Sequence, residues 1–250
     1  VLIAEDHPIN QKVVVEILRE RGHAFAIANN GIEALQMLEH EAFDVVLMDG
    51  QMPEMDGYEA TAEIRRREKE TGKHIRIIAL TALAMKSDRE KCLAAGMDDY
   101  ISKPVDADLL IQRLESERGS PDPVAIDKVK GTTAAGKAFD EIDALKRAKG
   151  KEAFLKRLAH VFLKEMPQTM TNILEAIKVG DALQLERFAH RLKGAASTMS
   201  AIPVAEAAAK IEVFARRGEL GCIDEALEEL EMRSAELIIE LEAFIGRSTP

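Results

Sequence analysis

A chain of 250 residues, 46% hydrophobic and 31% charged, is long enough for one large or two ordinary domains with a buried core. Its net charge of -10 argues against nucleic acid and against direct contact with anionic membrane surfaces. Two distant cysteines, Cys92 and Cys222, lack metal-ligand spacing and read as packing residues of a reducing, cytoplasmic compartment; no apolar stretch approaches the roughly 18–20 residues that span a bilayer.

Val1 already stands in a strand-like run with no signal peptide ahead of it, as expected of a piece of a longer protein, in whose remainder any membrane anchor would lie. Apolar runs at 1–4, 24–28, 43–48, 75–80 and about 98–102 predict five strands. Helical spacing separates them: Val13, Val14, Ile17 and Leu18, then Ile32, Leu35 and Leu38, then segments at about 56–69, 86–95 and 105–116. Strand–helix alternation implies right-handed crossovers and a parallel sheet with helices on both faces. Several runs are apolar without alternation, as strands covered on both faces should be.

From about 117 to 138 the composition turns to Gly, Pro, Ser and Thr without periodicity, which reads as a linker. Only helical patterns follow. The first runs from about 150 to 179 through Phe154, Leu158, Phe162, Met166, Ile173 and Ile177, and Pro167 is expected to kink or restart it. Two more fit at 182–199 and 203–217, with Pro203 in the first turn of its helix. The last, about 222–245, carries Ile223, Leu227, Leu230, Ser234, Leu237, Leu241 and Phe244 in a near-heptad stripe. Four or five helices joined by short turns predict an antiparallel bundle.

In the first half, a polar point closes each of four apolar runs: Glu5-Asp6, Asp49, Thr81, and Lys103-Pro104. A parallel sheet brings these ends to one edge, giving a pocket with an acid cluster, a hydroxyl and an ammonium. Such a pocket is equipped for Mg²⁺ and a phosphoryl group. A carboxylate attacks phosphorus only if its repulsion with the phosphoryl oxygens is offset, and Mg²⁺ prefers one or two carboxylates, a carbonyl and water. Asp6 and Asp49 supply carboxylate oxygens, the Gln51 backbone carbonyl reaches the same ion, and Glu5 acts from further out. Lys103 neutralises a phosphoryl oxygen, Thr81 donates a hydrogen bond, and Asp49 is the nucleophile. Each element alone has a plainer reading. Glu5-Asp6 before His7-Pro8 could be only a helix N-cap. Their joint occurrence at successive strand ends carries the signal.

These segments resemble a response-regulator receiver domain of the kind found inside hybrid sensor histidine kinases. The residues concerned are Glu5-Asp6-His7-Pro8-Ile9-Asn10-Gln11, Met48-Asp49-Gly50-Gln51-Met52-Pro53-Glu54-Met55-Asp56-Gly57, Ala79-Leu80-Thr81-Ala82 and Ser102-Lys103-Pro104-Val105. The resemblance covers residues 1–117 and implies an α/β flavodoxin-like (βα)5 fold with a five-stranded parallel sheet. It also implies phosphorylation at Asp49, a cis bond before Pro104, and phosphate-coupled movement of Thr81 and Tyr100. Two departures stand out: His7 where Asn is frequent, and Gly50 where a larger residue is usual, which would loosen the pocket.

The second constellation is Phe188-Ala189-His190-Arg191-Leu192-Lys193-Gly194-Ala195-Ala196-Ser197. With Leu185, Ala189, Leu192 and Ala196 as the core stripe, His190 sits roughly 140° away, facing water. Lys193 and Gly194, one turn on, flank the imidazole. An exposed imidazole can attack an acyl phosphate, Lys193 can offset the charge of the product, and Gly194 removes a side chain where a partner domain docks. A lone histidine on an alanine-rich helix would read simply as a surface residue. No second His or Cys stands at ligand spacing, and His160 reads as packing or surface. The segment 190–196 resembles the phosphoacceptor helix of histidine-containing phosphotransfer (HPt) domains, which implies an all-α four-helix bundle over residues 139–250, after a linker at 118–138. Ser200 departs from the Gly often found near that helix end.

Together these readings predict a phosphorelay module. Asp49 accepts a phosphoryl group from a histidine kinase core, expected upstream in the same full-length chain, and exchanges it with His190, which passes it to a downstream response-regulator receiver. The chain has no Gly-x-x-x-x-Gly-Lys-Ser/Thr loop and no separate ATP-binding domain, so the donor lies elsewhere. Two rivals remain. A non-catalytic receiver-fold docking module is disfavoured by the complete set Asp6, Asp49, Thr81 and Lys103. An aspartate-nucleophile phosphohydrolase would want a second acid two residues after Asp49, where Gln51 stands.

Overall fold

A computed structural model describes residues 1–81, 86–116 and 137–247, without the side chains of 86–89. It divides into two compact units, Val1–Lys130 and Gly131–Pro250. The expected linker, 118–138, falls outside the described residues apart from Lys137 and Ala138.

The first unit alternates strands β1 (Leu2–Ala4), β2 (Ala26–Ala28), β3 (Val45–Asp49), β4 (Arg76–Thr81) and β5 (Asp99–Ser102) with helices α1 (Pro8–Glu20), α2 (Gly31–His40), α3 (Gly57–Thr71), α4 (Lys86–Ala94) and α5 (Ala107–Glu115). The sheet is parallel in the order β2-β1-β3-β4-β5. Its two faces divide the strand residues by parity. Leu2, Ala4, Val46, Met48, Ile77 and Ala79 pack with Leu35, Ala60, Ile64 and Cys92. Ile3, Val45, Leu47, Ile78 and Leu80 pack with Val14, Leu18, Leu110 and Ile111. That double covering explains the unbroken apolar runs. Helix starts are capped locally. His7 Nδ1 accepts from the Ile9 N–H, Asn30 Oδ1 from Glu33, and Asp56 and Glu59 form a reciprocal capping box.

The second unit holds α6 (Glu141–Arg147), α7 (Glu152–Val179), α8 (Ala182–Thr198), α9 (Ile202–Arg217), a short 3₁₀ turn (Leu220–Cys222) and α10 (Asp224–Gly246). Leu158, Phe162 and Ile173 of α7, Leu185, Ala189 and Leu192 of α8, Ala208 and Ile211 of α9, and Leu230, Leu237 and Leu241 of α10 are buried. Ahead of α6, Phe139 packs on Phe244 with ring centroids 5.4 Å apart, and the Glu240 carboxylate accepts from the N–H groups of Ala138 and Phe139.

Two expectations are corrected here. Pro167 does not restart its helix, for α7 runs continuously from Glu152 to Val179. Phe162 and Met166 before it and Ile173 and Ala176 after it are all buried, and packing on both sides outweighs the roughly 3 kcal/mol that an interior proline costs. Cys222 is exposed and only Cys92 packs in a core, because the turn before α10 lies on the surface. Among the described residues no helix is long and apolar enough to cross a membrane.

Candidate functional site

Strand register builds the first centre. Ala4 pairs with Met48, Asp49 with Leu80, and Thr81 with Ser102. Glu5-Asp6, Asp49, Thr81 and Lys103 therefore stand at the carboxyl edge of four neighbouring strands. Lys103 Nζ lies 2.6 Å from Glu5 Oε2 and 2.7 Å from Asp49 Oδ2. Glu5 is fully buried, and its Oε1 accepts from the His7 N–H at 3.1 Å and from Asn10 Nδ2 at 3.0 Å. One oxygen each of Glu5, Asp6 and Asp49 come within 4.8 Å of one another. The Gln51 N–H donates to Asp49 Oδ1 at 3.4 Å. Thr81 is buried, and its carbonyl accepts from the Lys103 N–H at 2.6 Å. The Lys103–Pro104 bond is cis. Tyr100 packs half-buried against the core face that carries Met48.

Glu5 is thus more central than its expected outlying role, since it shares Lys103 with Asp49. The N-cap of α1 is His7, which leaves the Glu5 carboxylate to the pocket. Gly50 leaves no empty space. A Cβ there would meet Tyr58 Oη at 3.0 Å, so the phenol fills the room that a larger residue would take. At Gly57 a Cβ would lie 1.9 Å from the Asp49 carbonyl oxygen, so only glycine lets α3 start against the end of β3.

Burial pushes the Asp49 carboxyl up to about 8; the Glu5 and Asp6 charges add to the rise and Lys103 opposes it. Burial also acts upward on Glu5, but the Lys103 charge and hydrogen bond bring its pKa below the ordinary value. Lys103 is held above its ordinary value, because Asp49 and Glu5 outweigh its own burial. Three carboxyl groups against one ammonium leave an excess of negative, hard oxygen donors, which suits a small divalent cation.

The second centre lies on α8 and α9. His190 Nδ1 is 3.0 Å from Glu212 Oε1, and Lys193 Nζ is 2.5 Å from Glu212 Oε2. Arg216 donates from Nη2 to Glu212 Oε1 at 2.8 Å and from Nε to Glu186 Oε1 at 2.9 Å. Burial would raise the Glu212 carboxyl, but the His190 hydrogen bond and charge, with Lys193, hold it at about 2. An ionised carboxylate only accepts, so Nδ1 carries the proton, and a neutral ring keeps its lone pair on Nε2.

The exposures differ from those a single helical wheel predicts. The His190 side chain is 12% exposed rather than open to water, Lys193 is buried in its pair with Glu212, and Gly194 is among the buried residues of α8. The cause is α9, which packs against α8 and reaches the Glu186–His190–Lys193 side through Glu212 and Arg216. Sequence reasoning missed Glu212. Its signal was a lone acid in an apolar stripe, four residues beyond buried Ala208 and eight beyond buried Val204. Ser200, the departure noted at the end of α8, adopts φ 56° in the region glycine favours; its hydroxyl donates to Asp143 Oδ2 at 2.7 Å. His160 is exposed, with Nδ1 2.8 Å from the Lys156 carbonyl oxygen.

With this geometry in place, residues 1–115 match the response regulator receiver domain family and residues 157–244 match the Hpt domain family. The chain belongs to both: it joins a receiver domain to an Hpt domain, the combination used in two-component phosphorelays. It is 41% identical over 125 residues to hybrid signal transduction histidine kinase B of Dictyostelium discoideum, across 46% of this chain and 6% of that one. It is 39% identical over 114 residues to the sensor histidine kinase RcsC of Escherichia coli, across 46% and 12%. The matched stretch is thus a small part of these relatives. A receiver domain of a Pseudomonas aeruginosa sensor histidine kinase, solved with a magnesium ion coordinated in its active site cleft, aligns at 44% identity with TM-score 0.42, covering 45% of this chain and 91% of that one.

Proposed function

We propose that the chain is a phosphorelay module in which Asp49 and His190 exchange a phosphoryl group. The observation that carries this reading is the position of Lys103, whose ammonium joins Asp49 to Glu5 beside Asp6 at the carboxyl edge of the sheet. Asp6, Asp49 and the Gln51 carbonyl would hold Mg²⁺, with Glu5 beside them; bound there, the ion supplies neutralisation of phosphoryl oxygens. Asp49 Oδ attacks phosphorus while the P–N bond of a donor phosphohistidine breaks. Lys103 already touches Asp49 and is placed to pair with an incoming phosphoryl oxygen, and Thr81 contributes a hydroxyl at the adjacent strand end. Thr81 and Tyr100 carry the response to phosphorylation into β4 and β5.

In the second transfer the Asp49 O–P bond breaks and the His190 imidazole forms an N–P bond. The acyl phosphate and the phosphohistidine are both energy-rich, so the exchange runs in either direction. Gly194, buried one turn beyond His190, adds no side chain between α8 and a partner that docks on the imidazole. The donor is a histidine kinase core and the final acceptor a separate response-regulator receiver.

The test is to incubate the chain with a phosphohistidine donor and Mg²⁺, beside Asp49→Asn and His190→Gln. The expected outcome is no label in the first variant, and loss of the acid-labile, base-stable product alone in the second. Label on His190 in Asp49→Asn would show a donor that bypasses the receiver and would overturn the order of transfer. A chain that takes no label under Mg²⁺ would support the docking-module alternative.

A further inference from the structure

The sequence pattern assigns charge compensation at His190 to Lys193, one turn along the same helix. In the structure that lysine is already engaged with Glu212. Lys193 is 11% exposed and its ammonium is 2.5 Å from Glu212, itself 4% exposed. If Lys193 turned towards a new anion, it would strip a buried carboxylate of its closest cation. Arg216 stands differently. It is 48% exposed, shares Glu212 Oε1 with His190 Nδ1, and spends its other contact on Glu186, one turn before His190 on α8.

We propose that Arg216, rather than Lys193, is the cation that meets the phosphoryl group on His190, exchanging Glu186 for it. The inference rests on the phosphorelay reading and names a residue for its second site. In the transfer, the O–P bond of the Asp49 acyl phosphate breaks and the carboxylate leaves with the electron pair. The Nε2 lone pair forms the N–P bond, and Nδ1 keeps its proton on Glu212, so no proton moves. The new group adds negative charge beside Glu186 and Glu212. Glu186 is the weaker hold on Arg216: it is more exposed than Glu212, so losing it strands no buried charge. A guanidinium has five N–H donors, of which two are used here, so Arg216 can keep Glu212 and still present a fork to phosphoryl oxygens. Glu212 then has a second task, as the pivot on which the ring and the guanidinium are both hung. Arg187, exposed three residues before His190, is the competing cation. On the helical wheel it lies on the opposite side of His190 from Glu186 and Lys193, away from the residues that α9 engages.

The experiment uses the full chain carrying Asp49→Asn, so that only His190 takes phosphate, loaded with phosphoramidate and followed by ³¹P NMR as a function of pH. Arg216→Ala should raise the midpoint of the phosphorus titration by about half a pH unit, because a half-exposed cation no longer favours the dianion. It should also shorten the phosphohistidine half-life about threefold. Arg216→Lys should restore part of the shift, Lys193→Met, which acts only through Glu212, should move the midpoint by clearly less than Arg216→Ala does, and Arg187→Ala should leave it within about a tenth of a unit. A purely structural role for Arg216 would not move the phosphorus titration in a folded chain. An unmoved midpoint in Arg216→Ala, or a shift in Lys193→Met or Arg187→Ala as large as that in Arg216→Ala, overturns the proposal and leaves the relay intact. Absence of any phosphohistidine resonance removes the relay reading and this inference with it.

Discussion

Replacing Asp49 with asparagine should stabilise the receiver unit when no metal is present. The carboxyl is pushed from its ordinary 3.8 up to about 8 by burial and by Glu5 and Asp6. Between those values the folded state binds a proton that the unfolded chain has released, so stability falls as pH rises, by up to about 1.4 kcal/mol per unit, and levels off above pH 8. At pH 7 the single-group ceiling is ~4 kcal/mol. Coupling to Lys103, which Asp49 helps to satisfy, reduces this to about 2 kcal/mol, and Lys103 keeps Glu5 in the variant. For a unit of this size that is a rise of roughly 8 °C in midpoint temperature. Differential scanning calorimetry of the full chain in chelator at pH 7 measures it, and the receiver transition is the one that responds to added Mg²⁺. A hundredfold excess of Mg²⁺ over its Kd should add ~2.7 kcal/mol to the native chain and less to the variant, closing the gap. The electrostatic account fails if Asp49→Asn lowers the receiver transition in chelator, or if the native chain shows no loss of stability from pH 5 to 8.

Three further outcomes concern the helical unit. Glu212 sits at about 2 against an ordinary 4.5, so its stabilisation is complete above pH 4.5 and is lost as pH falls towards 2; circular dichroism should show the helical unit weakening in that window. Glu212→Ala should cost about 3 kcal/mol in urea melts at pH 7, because it strands buried Lys193, and a change below 1 kcal/mol would mean that the pair contributes little. Ser234 is buried in the α10 stripe with no hydrogen-bond partner for its hydroxyl among the described residues, so Ser234→Ala should stabilise by about 1 kcal/mol in the same melts, and a loss of stability would mean the hydroxyl has a partner such as bound water.

The first site was legible because each piece is local. An apolar run that stops at Asp49 or Thr81 marks a strand end wherever it sits, and the parallel sheet does the rest by register. The second site was half legible. The sequence marks His190 and Lys193 as candidates on one helix, but it misjudges their exposure, because a helical wheel describes one helix while burial is decided by its neighbour. Glu212 lies 22 residues from His190 and has meaning only once α9 is packed on α8. Pro167 failed as a boundary for the same reason: a local rule was overruled by packing on both sides of it. Gly50 read as missing bulk, yet Tyr58, eight residues on, supplies that bulk.

Residues 137–156 fall between the two family matches, yet the contacts of Phe139 with Phe244 and of Glu240 with the backbone at 138 and 139 make the start of this stretch part of the bundle. A fragment cut at residue 157 would uncover an aromatic ring and leave a carboxylate without its two donors. Protein made for study of the C-terminal half should therefore begin ahead of Lys137.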